Sequence, residues 1–200
     1  MAYRNDTGDP YVDSESGVLK NLAGIGDSDR LEAFEGEMSI LRQIELSENP
    51  LKGPFDVARL KAIHRHLFQD VYAWAGEPRT IDMAKGNSRF GSHLHVESYL
   101  AKLFDKLAVE REQWCNSPGT VDWAGRLAEY LGEINAAHLF REGNGRTQRL
   151  FIGQLAEAQG FEIRWDRMHM PEMVEASIAS FAGNGEPLRS LIRKHLIGMN

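Results

Sequence analysis

The run His138-Leu139-Phe140-Arg141-Glu142-Gly143-Asn144-Gly145-Arg146-Thr147-Gln148-Arg149 gathers an imidazole, a carboxylate, two glycines flanking an asparagine, and two arginines three residues apart. An imidazole titrates near neutrality, so His138 is a candidate general base. Glu142 is a candidate for Mg²⁺, which takes one or two carboxylates and fills its other positions with phosphate oxygens and water. Gly143 and Gly145 let the backbone approach a ligand with no Cβ in the way. A turn of this kind opening a helix leaves several N–H groups unpaired, a nest suited to a di- or triphosphate. Asn144 can cap the new helix or donate its amide to a phosphate oxygen. Arg146 and Arg149 share one face of the first turn, where the helix dipole disfavours cations and an anionic ligand would compensate them. The chemistry expected is attack on a phosphorus of a bound nucleoside triphosphate. Taken singly, each residue has an ordinary reading: a satisfied core histidine, a carboxylate complementing a dipole, solvated arginines. Their combination is what favours a site.

Two helices must hold this run. Trp123, Leu127, Tyr130, Leu131, Ile134 and His138 recur on one helical face, predicting a helix over 121–139 with His138 pointing inward at its end. Phe140 would anchor the exit, and a second helix is expected over 145–159, closed by Gly160. Residues 121–160 thus form a helix–loop–helix core. Upstream, 1–26 reads as a polar, irregular arm. Helices follow over 29–46, opened by Asp29 with Glu32 as a capping box, and over 56–75, with Leu60, Ile63, Leu67 and Val71 on one face and Gly76 after the last turn. Residues 77–95 read as a short β-hairpin around Lys85-Gly86-Asn87-Ser88. Further helices are expected over 96–113, 171–182 and 186–197, Pro171 suiting a first turn. The fold class expected is all-α with one short hairpin, in a single domain spanning 1–200.

Composition narrows the function. With 42% hydrophobic and 26% charged residues, the chain has the balance of an ordinary globular protein. A net charge of −6 argues against a nucleic-acid surface. No apolar run has membrane-spanning length, no secretory leader is visible, and the lone Cys115 allows no intrachain disulfide, so a cytoplasmic setting is expected. His93 and His95 would share a face on a strand, but without a third ligand nearby they read as solvent-facing. His64 and His66 read as surface residues, Tyr72 and Trp74 as packing groups. Tyr11 and Tyr130 read as structural rather than as self-modification sites, and Met168, Met170 and Met173 as core filler.

The motif resembles the signature of Fic-domain proteins, H-x-F-x-[D/E]-G-N-G-R-x-x-R, at every fixed position. Asp9-Pro10-Tyr11 through Gly24-Ile25, Val71-Tyr72-Ala73-Trp74-Ala75-Gly76 with Arg79, and the hairpin are similar to Fic toxins of bacterial toxin–antitoxin modules. The resemblance implies a protein adenylyltransferase that moves AMP from ATP to a hydroxyl of a target protein. His138 would then take the hydroxyl proton and Glu142 would hold Mg²⁺. Asn144 and the turn N–H groups would steady the α-phosphate, and Arg146 and Arg149 would grip the β- and γ-phosphates. Gly145 stands where Doc-like kinases of the family carry lysine, which favours nucleotide transfer over phosphorylation. Leu139 departs from the family's usual proline without removing a chemical group. The hairpin corresponds to the family's flap, which pairs with an extended target segment, and Lys85 and Phe90 are candidate contacts to nucleotide or target.

The resemblance also bears on regulation. The inhibitory pattern [S/T]-x-x-x-E-[G/N] is missing: Glu35-Gly36 has Leu31, and Glu48-Asn49 has Ile44, where Ser or Thr belongs. A separate small antitoxin engaging Arg149 is therefore expected. The resemblance suggests the ATPase subunits of DNA gyrase and topoisomerase IV as targets, with no direct nucleic-acid or membrane partner. Two alternatives stand beside it: a Doc-like kinase, and a nucleotide-binding interaction module without catalysis.

Overall fold

A computed structural model describes residues 8–86, 88–116 and 118–199. Among them are seven helices: α1 (Ser28–Glu48), α2 (Val57–Phe68), α3 (Val96–Asn116), α4 (Trp123–Ala137), α5 (Asn144–Glu157), α6 (Met170–Phe181) and α7 (Glu186–His195). The hairpin is present but short: β1 (Ala84–Lys85) pairs antiparallel with β2 (Ser88–Arg89), Ala84 opposite Arg89. A second ladder, which periodicity did not reveal, joins β3 (Phe161–Ile163) antiparallel to β4 (Leu196–Gly198). Three-residue strands carry too little alternation to stand out in a sequence. The mainly helical class holds.

α4 is the axis of the molecule. α5, α6 and α7 pack around it, α2 lies on α5, and α1 covers α2. The α4 stripe behaves as its spacing requires, with Leu127, Tyr130, Leu131 and Ile134 buried against Phe151, Ile152 and Leu155 of α5 in the main core. Among the described residues no helix is long and apolar enough to cross a membrane.

Several boundaries differ from expectation. α1 begins one residue earlier, capped by Asp27, whose side chain accepts from the Arg30 N–H; Asp29 lies inside the first turn. α2 stops at Phe68 instead of running to residue 75. The chain then reverses through tight turns so that the Gly76 N–H reaches Nδ1 of His64 at 2.8 Å. Gly76 has φ +85°, and a Cβ there would press on the Arg65 side chain at 2.7 Å, so only glycine closes this return. α3 extends to Asn116. Met170 is exposed while Met168 and Met173 are buried. Of the expected arm, residues 1–7 lie outside the described residues; from residue 8 on it is irregular, but it is anchored: Asp9 bridges Arg141 at 2.7 Å, and Tyr11 packs edge-on to Trp74.

Candidate active site

α4 ends one residue before His138, which caps it in the left-handed conformation, φ 51°. A non-glycine residue there costs about 1–2 kcal/mol, so its surroundings must over-determine it. They do. The His138 N–H donates to Ile134 C=O at 3.1 Å, and its own C=O accepts from Arg79 Nε at 2.8 Å. Phe90 stacks flat on the imidazole, centroids 3.7 Å apart. Nδ1 lies 3.3 Å from the Asn135 carbonyl, which can only accept, so Nδ1 carries the proton and Nε2 is the basic nitrogen. Burial lowers the imidazole to a pKa of about 3, with further lowering from the charges of Arg79, Lys85 and Arg141. The ring is therefore neutral at physiological pH, the form a base needs. A polyanion bound beside it would move that pKa back upward.

The turn after His138 is locked from within. Asn144 Oδ1 accepts from the Phe140 N–H at 2.9 Å and its Nδ2 donates to the Phe140 C=O at 2.7 Å. Gly143, not Asn144, occupies the cap position of α5, at φ 78°. A Cβ on Gly143 would overlap the Phe68 ring, so the turn tolerates no other residue there. Asn144 is thus a clamp on the loop rather than a helix cap. Its helix opens as expected: the N–H groups of Asn144, Gly145 and Arg146 have no acceptor among the described residues. Thr147 makes the first return bond, to Gly143 C=O at 3.1 Å.

The two motif arginines differ. Arg146 forms an ion pair with Glu35 of α1, donates to Ser39 Oγ at 3.1 Å, and lies over the Phe68 ring. Arg149 has no hydrogen bond or ion pair among the described residues, and burial followed by repulsion from Arg146 lowers its pKa. Glu142 bends back to its neighbour's Gly143 N–H at 3.1 Å. Burial raises its pKa and the nearby Glu35 raises it further, so a cation placed there would be strongly favoured. No cation pairs with it among the described residues.

Three positions matter here that sequence reasoning passed over or misplaced. His64, expected at the surface, is fully buried and stacks on Phe140 at 3.8 Å. With Nδ1 accepting from Gly76, its Nε2 donates to the Glu142 C=O at 3.0 Å, fixing the backbone that carries the carboxylate. Arg79 is buried and spans the site's base, donating to the carbonyls of His138, Ile81 (2.5 Å), Gly91 and Ala137 (3.4 Å). It ties the flap to the end of α4. Glu35 is buried between Arg146 and the Tyr72 hydroxyl. A signal for it exists: Leu31, Glu35 and Ser39 recur every four residues, placing a carboxylate within the buried stripe of α1.

Of the flap candidates, Phe90 reaches the site through its stack on His138, and Lys85, exposed on β1, acts on the ring through its charge. His93 pairs with Asp82 at 2.8 Å, and among the described residues no three metal-capable side chains cluster. Tyr130 is buried with its hydroxyl on Glu110, 3.0 Å away.

Residues 54–156 match a family model described as Fic/DOC family. The chain is 45% identical over 94% of its length to the protein adenylyltransferase VbhT of Bartonella schoenbuchensis, and it spans 39% of that longer relative. It is 37% identical to the probable protein adenylyltransferase y4lH of Sinorhizobium fredii, covering 97% of this chain and 99% of the relative. The solved N-terminal Fic domain of a VirB-translocated Bep effector protein from Bartonella quintana, with bound ADP, superimposes with a TM-score of 0.85 at 27% identity, over 95% of each chain. A motif folded into this cap, turn and helix start, in a chain that matches such relatives nearly end to end, belongs to the Fic/DOC family.

Proposed function

We propose that this chain is a protein adenylyltransferase that moves AMP from ATP to a hydroxyl of a target protein. The observation that carries the reading is the juxtaposition, across one locked turn, of a neutral buried imidazole and an anion nest whose cation Arg149 has no partner among the described residues. The triphosphate sits against the unpaired N–H groups of α5 and Arg149. Arg146 reaches phosphate only by leaving Glu35. His138 Nε2 accepts the target's hydroxyl proton as the oxygen forms its bond to the α-phosphorus. The bond from that phosphorus to the bridging oxygen breaks, and pyrophosphate leaves. Glu142 fits Mg²⁺, being a carboxylate made more receptive to a cation by burial and by Glu35, and the ion would neutralise phosphate charge there.

The flap presents a strand edge for an extended target segment. Resemblance to Fic toxins supports a toxin role with the ATPase subunits of DNA gyrase and topoisomerase IV as targets. A separate antitoxin supplying a carboxylate to Arg149 is supported by the missing inhibitory pattern and by the state of that guanidinium. Under this reading the purified chain is active as it stands; a requirement to delete residues 27–46 for activity overturns the antitoxin.

ATP labelled at the α-phosphate, incubated with the chain and a bacterial lysate, should label a protein. His138→Ala should reduce labelling roughly 10²- to 10⁴-fold while ATP still binds. Label arriving from the γ-phosphate alone would make the enzyme a kinase, and an unchanged biological effect in the variant would make it a binding module.

A further inference from the structure

A cavity of about 770 Å³ lies away from the phosphate nest. It is a groove along α4, walled on the other side by the end of α6 and the turn into α7. Gly125, Ala128, Gly132 and Ala136 of α4 line it, small residues that leave room there. One end approaches His138 through its neighbours. Ala136 lies two residues before His138, and its carbonyl accepts the Gly91 N–H at the foot of the flap. Phe181, also lining the groove, packs edge-on to Phe90, the ring that covers His138. A segment leaving the flap therefore meets this groove next.

Its charge is uneven. Four carboxylates and two guanidiniums line it. Both guanidiniums are already paired: Arg189 with Asp122 and Glu186, Arg126 with Glu129 at 2.9 Å. Glu133 takes only the Tyr99 hydroxyl and has no cationic partner among the described residues. Of the four groove carboxylates it lies nearest His138 in sequence, five residues upstream, or about 7.5 Å along the helix. An extended segment advances about 3.3 Å per residue and returns to the same face every second one.

We infer that the groove receives the protein substrate beyond the modified hydroxyl, and that Glu133 selects a lysine or arginine two residues away on one side of it. The inference rests on adenylyl transfer with strand docking on the flap, and extends it to a specificity-determining residue. Glu133 acts on the substrate's approach and orientation, not on ATP.

The test uses the whole chain, ATP labelled at the α-phosphate, and synthetic eleven-residue peptides with a central Ser, Thr or Tyr. Lys, Ala or Glu is scanned through the flanking positions. Lys at one position, two residues from the hydroxyl on a single side, should raise kcat/KM on the order of tenfold over Glu. Glu133→Gln should flatten that preference and Glu133→Lys should invert it, with KM for ATP unchanged in both. Labelled peptides with no positional preference, or one identical in wild type and Glu133→Lys, overturn the assignment of Glu133 alone. Binding of ATP with no peptide labelled at all overturns strand docking, and the groove assignment with it.

Discussion

Two arginines of this molecule, Arg79 and Arg149, show how the same side chain serves opposite ends. Burial lowers the pKa of both. Arg79 is met by the carbonyls of His138, Ile81, Gly91 and Ala137 and faces Asp82, 3.7 Å away. Among the described residues Arg149 is met by no acceptor, and it faces another cation, Arg146. A partly desolvated charge met by its own chain is costly to disrupt; one left unmet costs stability, and under the proposed function a bound triphosphate would compensate it. The base of the site, around Arg79, His64 and Asn144, is saturated with hydrogen bonds. At its proposed phosphate mouth, the N–H groups of Asn144, Gly145 and Arg146 and the Arg149 guanidinium find no acceptor among the described residues.

This contrast can be broken most forcefully at Arg79. Arg79→Met should cost about 3–5 kcal/mol of unfolding free energy, because several buried carbonyls lose their donor, and labelling should fall with it. A denaturation midpoint unchanged from wild type would remove Arg79 from the scaffold. Arg149→Met should behave in the reverse sense. Affinity for ATP should drop roughly 10- to 100-fold, about 1.4–2.8 kcal/mol, with thermal stability equal to or above wild type. Lost stability without lost ATP affinity would refute the reading of the mouth.

The smallest effect tests how well the base excludes water. His138 and His64 both have pKa values lowered to about 3 by burial. Unfolding restores a value near 6.5, so between about pH 3 and 6.5 the unfolded chain binds more protons. Stability is thus fully present above about pH 6.5 and is lost as the pH falls toward 3, by about 2 kcal/mol per ring at pH 5. His138→Ala should show a visibly shallower decline from pH 7 to 5 in urea titrations. Parallel declines in variant and wild type would mean that the ring is protonated within the fold.

The motif was legible because its parts are neighbours in sequence: the α4 stripe, the glycine turn and the opening of α5 all act within one or two helical turns. What surrounds it was not. His64 reaches Glu142 across 78 positions, Arg79 reaches His138 across 59, and Glu35 reaches Arg146 across 111. No local period announces such partners, and a histidine or arginine on a helix face reads as solvated until the opposing surface is known. The early end of α2 has the same origin, since the Gly76 N–H finds its acceptor on His64, on an earlier turn of the same helix.

By itself, the order of residues determined the helical class, the inward face of α4, the glycine turn between α4 and α5 and the chemical groups of the site, because propensity and periodicity act locally. Only the tertiary structure decided which of the two motif arginines is engaged among the described residues, that His64 is buried as deeply as His138, and that a groove lies beside the flap. Those outcomes depend on which distant surfaces meet, and desolvation becomes a force on a charge only once they have met.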